Sequence, residues 1–142
     1  MRRRYWTYAL PIIQEAHCMN GSFNNVKPSR DNWIYGFLGV GGFYLCCVAN
    51  FDGARAEVVF SKGSKDENKS AFDGVYAHKA EIEDKLNTSL QWDRGDEKKS
   101  SKVFIQLSNV SIENEADWLQ MARFHAEWTK KLYDEIVPFI QG

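Results

Sequence analysis

The chain predicts an α+β fold with a mostly antiparallel sheet of about five strands and helices packed on it, and three observations carry that prediction. Between Trp33 and Ser61 apolar residues recur at every second position, the period of a strand, whereas the stretches on either side repeat at three and four, the period of a helix. The links inside the strand region are tight: Gly39 to Gly42 and Asp52-Gly53 are turn chemistry, and links that short force antiparallel hairpins. The resulting order, α-β-β-β-α-β-β-α, groups strands into runs instead of alternating each with a helix.

Taken in order, the first helix is expected from about Arg3 to His17, with Tyr5, Trp6, Ala9, Leu10, Ile13 and Ala16 on its inner side. Pro11 removes one backbone hydrogen bond and crowds the preceding turn, a cost of about 3 kcal/mol, so a kink or break is expected there. Asn20 to Asn32 is crowded with turn formers and reads as a loop. Strands follow at Trp33 to Leu38, Phe43 to Asn50 and Ala54 to Ser61. The second is apolar on both faces, as a central strand covered on two sides would be. The third alternates, with Ala56, Val58 and Phe60 on one face and Arg55, Glu57 and Val59 on the other.

The best delimited element is a helix over Lys65 to Asn87. Ser64 stands three residues before Glu67, the spacing of a capping box. Phe72, Val75, Lys79, Ile82 and Leu86 then form one stripe, with Lys79 laying its methylenes along it. A hairpin of Leu90 to Arg94 and Val103 to Leu107 follows. The last helix starts at an Asn114 cap and carries Trp118, Met121, Ala122, His125, Trp128, Leu132, Ile136 and Phe139 as far as Pro138, which bends or ends it.

At 142 residues the chain reads as a single domain over 1–142. Its 44% hydrophobic and 26% charged residues are ordinary for a globular protein, and its 14% aromatic residues are expected to build the core. A net charge of −1 excludes a global basic field for nucleic acid or anionic membrane. No apolar run nears the roughly 20 residues of a membrane span and no secretory leader is legible, so a cytoplasmic protein without a membrane partner is expected. The three cysteines are odd in number, and Cys46 and Cys47 point to opposite faces of one strand, so reduced, buried thiols are expected.

Candidate sites are few. The opening αβββαβ order is shared with restriction-type nuclease cores, whose Asp and Glu-x-Lys set is missing: Asp52 can stand for the Asp, but Val59 occupies the lysine position after Glu57. His17, His78 and His125 are scattered, no metal-ligand spacing occurs, and no metal or cofactor is expected. His125, inside an apolar stripe, reads as a core histidine with one hydrogen-bond partner. Gly36, Gly39, Gly41 and Gly42 precede a strand and read as a hairpin turn instead of a phosphate loop. Lysines gather at Lys62, Lys65 and Lys69 and again around Lys98 and Lys99, each group beside acidic residues. Arg55, Lys62, Lys69, Lys98 and Lys99 are the candidate nucleic-acid or anion contacts. Lys69 flanks the helix stripe by about 60°, which leaves two readings: an ion pair with Glu57, or an anion site shared with Arg55.

Tyr5-Trp6, Trp33 with Gly39 and Gly42, Arg55-Ala56-Glu57, Asn68-Lys69 with Phe72-Asp73, Ile82-Glu83, Leu90-Gln91-Trp92, Lys98-Lys99-Ser100-Ser101 and Trp118, in that order, resemble the bacterial domain-of-unknown-function family 4268. Members of that family often follow a restriction-nuclease-like part and occur in restriction and defence settings. The resemblance implies DNA-related work and supplies no catalytic set. The expectation is a non-catalytic accessory or recognition module of a bacterial restriction, defence or DNA-processing system, with DNA or a nuclease-like protein as partner. The alternatives are a small enzyme acting on a nucleotide or phosphodiester through Glu57, Arg55 and Lys69, and a protein-binding module that uses exposed aromatics, a homodimer included.

Overall fold

The computed structural model describes residues 1–140. Helix α1 (Arg2–Ala16) buries Tyr5, Trp6, Ala9, Leu10 and Ile13, the expected inner face. The helix is not broken at Pro11: that residue and Thr7, four positions earlier, are both exposed, on the side where water can serve the carbonyl that has no N–H partner. Strands β1 (Trp33–Phe37), β2 (Phe43–Ala49) and β3 (Gly53–Phe60) form an antiparallel meander. Gly42, with φ +86°, sits where a side chain would strain the backbone, and a Cβ there would meet Lys62 Cγ at 2.5 Å. That position closes the β1–β2 turn.

The chain then leaves the sheet for α2 (Lys65–Tyr76) and α3 (Lys79–Leu86) and returns as β4 (Gln91–Asp93) and β5 (Ser101–Ser108). The five strands lie in the order β1-β2-β3-β5-β4, every pairing antiparallel. Helix α4 (Trp118–Ile136) follows a short turn over Glu115–Asp117 that Asn114 caps, and it gives way at Pro138 to a single 3₁₀ turn. Helices α2 and α4 pack on one face of the sheet, and α1 and α3 pack on α4.

The expected single helix over Lys65 to Asn87 is two helices. Its start is as read, with Ser64 Oγ accepting from Glu67 N at 3.2 Å. At the break, His78 N donates to Val75 O at 2.9 Å, a tightened turn, and His78 leaves helical geometry with φ −105° and ψ 16°. The cause is tertiary: α2 meets β3 and β5, whereas α3 meets α4, and one straight rod cannot present a stripe to both. Lys79 pairs with Glu83 at 2.8 Å. The second strand is covered by helices on one face only, through Leu45, Cys47 and Ala49. The aromatics also divide: Tyr5, Trp6, Phe23, Phe43 and Phe60 are fully buried, but Trp33, Tyr35, Phe37 and Phe51 are exposed. Cys46 and Cys47 are buried free thiols on opposite faces, while Cys18 is exposed.

Polar groups inside the core are tied. His125 Nε2 lies 2.8 Å from Val48 O and its Nδ1 lies 2.8 Å from Tyr5 Oη. A carbonyl only accepts, so Nε2 carries the proton and Nδ1 accepts from the tyrosine hydroxyl. The core histidine thus has two partners. Trp6 Nε1 donates to Asp31 O and Trp118 Nε1 to Ile112 O, which fasten the loops before β1 and after β5 at one end of the strands.

Candidate recognition surface

Side chains alternate along a strand, so the residues of β3 that do not face the helices, Arg55, Glu57 and Val59, belong to the opposite face. The register extends that face across the sheet in three rows. Trp33, Val48, Arg55 and Gln106 form the first, Tyr35, Cys46, Glu57, Phe104 and Gln91 the second, and Phe37, Tyr44, Val59, Lys102 and Asp93 the third. No helix among the described residues lies on it.

One side of this face is a strip of rings. Trp33, Tyr35 and Phe37 on the edge strand are 41%, 47% and 62% exposed. Tyr44 of the neighbouring strand stands 5.7 Å from Tyr35 and 6.1 Å from Phe37, ring centre to ring centre. The middle of the face is charged. Glu57 is only 4% exposed, and its Oε2 lies 3.2 Å from Arg55 Nε and 3.7 Å from Lys102 Nζ. Arg55 Nε and Glu57 Oε2 are in ion-pair reach but make no hydrogen bond, so charge holds this contact. Arg55 and Lys102 also flank the Phe104 ring, at 5.1 and 5.4 Å from its centre. Burial, and then the Glu57 charge, push the Cys46 thiol well up, which keeps it protonated and weakly nucleophilic. Burial likewise raises the Tyr35 phenol. The face therefore carries a strip of exposed rings beside a charge cluster of Arg55, Glu57 and Lys102.

The other residues singled out in the sequence form a second cluster, at the opposite end of β3 and mostly through backbone. Asn68, fully buried, accepts from Lys62 N at 2.6 Å and donates to Lys62 O at 3.4 Å and Lys99 O at 2.9 Å. Lys69 Nζ, also buried, donates to Arg94 O at 2.6 Å, Ser100 O at 2.8 Å and Ser101 Oγ at 2.9 Å. Desolvation, with Lys65 and Arg94 nearby, draws its pKa down. The expected Glu57–Lys69 ion pair is not formed, because α2 packs on one face of the sheet and Glu57 projects from the other. The anion site shared by Lys69 and Arg55 fails for the same reason. Arg55 and Lys62, moreover, are roughly 20 Å apart along the strand direction. Lys98 and Lys99 are exposed on the β4–β5 loop, beside the exposed acids Asp96 and Glu97. Among the described residues no group of three His, Cys, Asp or Glu could hold a metal ion.

Of the residues that carry the family resemblance, most are thereby occupied inside the fold. Glu83 Oε2 holds Leu90 N at 2.7 Å and Trp92 Nε1 at 3.1 Å, and Asp73 pairs with Arg94 at 2.9 Å. Tyr5, Trp6, Asn68, Lys69 and Trp118 have the internal partners already described. Among the rest, Trp33, Arg55, Glu57 and Gln91 lie on the helix-free face, while Lys98 and Lys99 are exposed on the β4–β5 loop. The rings that mark this face were missed in the sequence, where strand aromatics read as core; their alternation with Ile34 and Gly36 was the available signal.

No helix of the described chain is long and apolar enough to cross a membrane. No curated protein and no solved structure matches the chain. The family described as Domain of unknown function (DUF4268) matches residues 1–140, end to end with the elements described above. The chain belongs to the DUF4268 family.

Proposed function

We propose that the protein is a non-catalytic recognition module that uses the helix-free face of its sheet to hold a nuclease-like partner protein, within a bacterial restriction, defence or DNA-processing system. One observation carries the reading: three rings, Trp33, Tyr35 and Phe37, stand out from the edge strand on a sheet face that no helix among the described residues covers. Aromatic anchors with an inner charged set are the make-up of protein interfaces, where Trp, Tyr and Arg dominate the binding energy. The charge on the face is close to balanced, two cations against Glu57 and Asp93, which favours a protein over a polyphosphate. The partner would offer apolar side chains to the rings and an acidic group to Arg55 and Lys102. The setting itself comes from the family resemblance.

The test is calorimetric titration of the chain with the separately produced nuclease-like part of a longer family member. Micromolar binding that Trp33→Ala/Tyr35→Ala/Phe37→Ala weakens at least tenfold, with the melting temperature within a few degrees of wild type, supports the proposal. Unchanged binding by the triple variant refutes it. If sedimentation shows wild type to be a dimer and the variant a monomer, the face belongs to a second copy and the nuclease-like partner is wrong.

A further inference from the structure

A second surface, on other residues, is unexplained by anything above. The first turn of α1 carries Arg2, Arg3 and Arg4, with no acidic residue in that turn. Arg4 is accounted for: it pairs with Glu115 at 2.7 Å and lies over the Trp118 ring at 5.6 Å. Arg2 and Arg3 make no ion pair among the described residues, nor does Arg30, which the loop before β1 brings alongside them. These three guanidinium groups, Met1 and Phe51 line a hollow of about 370 Å³. Phe51 is 54% exposed, with Arg2 5.6 Å from its ring centre. Asp52 lines the adjoining hollow and Asp31 follows Arg30 in the loop, and neither forms an ion pair with the three arginines.

Like charges crowded at this end of a helix repel one another and add to the partial positive charge of its first turn. Within the fold only Arg4 of this turn has an ion-pair partner, Glu115. An arriving polyanion would relieve the repulsion, and arginine's planar fork suits phosphate oxygens. An exposed ring between the cations adds a stacking surface for an unpaired base. We infer that Arg2, Arg3 and Arg30 bind the phosphodiester backbone of a single-stranded nucleic acid and that Phe51 stacks on one of its bases. A concave patch with its ring among the cations suits a strand better than a bilayer, which takes a protruding apolar face. With a chain of net charge −1, the attraction is local.

The experiment is fluorescence anisotropy of a labelled single-stranded DNA 12-mer titrated with the full chain at 50 and 200 mM salt. Three phosphate contacts should weaken binding about 20-fold over that range. Arg2→Ala/Arg3→Ala/Arg30→Ala should abolish most of the affinity and flatten the salt dependence, with a thermal melt no lower than that of wild type, because these side chains are exposed and repel one another. Phe51→Ala should lower affinity about 10-fold and leave the salt slope as it is. No binding by wild type, full binding by the triple variant, or tighter binding to phosphatidylserine vesicles than to the oligonucleotide would each overturn the inference. The sheet face shares none of these residues, so this test can fail while the partner-protein reading stands.

Discussion

Lowering the pH from 7 to 4.5 should destabilise the protein through His125, and the size of the effect follows from its surroundings. The ring is fully buried, donating from Nε2 to Val48 O and accepting at Nδ1 from Tyr5 Oη. Protonation would put a second donor against the tyrosine hydroxyl and a charge into the core. Burial accordingly lowers the histidine pKa from 6.5 to about 4. Between those values the unfolded chain binds a proton that the folded chain refuses, so stability present above pH 6.5 is lost as the pH falls. At about 1.4 kcal/mol per pH unit the full loss is about 3 kcal/mol. That is a large part of a typical domain's 5–15 kcal/mol, equivalent to roughly 10 °C in melting temperature. His17, whose pKa burial also lowers, adds a contribution of the same sign. Urea unfolding of wild type and His125→Gln at half-unit steps isolates the His125 share as the difference in slope. The carboxylates that the fold stabilises, Asp73 and Glu83, have pKa values lowered from the ordinary range and act mainly below this window. Wild-type stability that stays flat from pH 7 to 4.5, or a variant with the wild-type slope, would refute the reasoning.

Lys69→Met removes three hydrogen bonds and leaves Ser100 O and Ser101 Oγ without the lysine donor, while Arg94 O keeps the Ser101 hydroxyl, so a loss of about 2–4 kcal/mol in urea titration is expected. Ile82→Asp places a carboxylate at a position 1% exposed between α3 and α4, and should abolish the cooperative melt; a melting point within a degree or two of wild type would show the packing to be misassigned. Gly42→Ala should cost about 1–2 kcal/mol, from its φ of +86° and the clash with Lys62. Maleimide on the native protein should add one label, at Cys18, within the time that denatured chain takes three; rapid labelling of Cys46 would show that the open face is not packed as described.

The types and order of the elements were legible because period and turn chemistry are local properties. Trp33, Gly39, Gly42 and the Asp52-Gly53 pair marked the meander, and Ser64 with Glu67 marked the start of α2. What escaped depended on partners distant in the chain. Both halves of the Lys65–Asn87 stretch keep one helical period, so its division at His78 is visible only once α4 and the sheet are both in place. Lys69 was legible as a boundary residue, but two of its three acceptors are carbonyls, of Arg94 and Ser100 in the β4–β5 loop, which no pattern of side chains announces. The open face was hidden by a similar ambiguity: Trp33, Tyr35 and Phe37 have the composition of a buried row, and only the placement of every helix on the far side leaves them in water.

The position of β5 between β3 and β4 also bears on how the chain is made. Until Ser101–Ser108 is available, β3 is an edge, and its backbone donors and acceptors on that side have no partner. During synthesis the whole stretch from Phe60 to Ser108 must be added first, roughly 2–10 s at ordinary elongation rates. Through that interval a ribbon with one wholly apolar face, Ala54, Ala56, Val58 and Phe60, is available to another nascent chain. The charged pair Arg55 and Glu57 interrupts it midway, one face of the ribbon kept polar while its proper neighbour is still unmade.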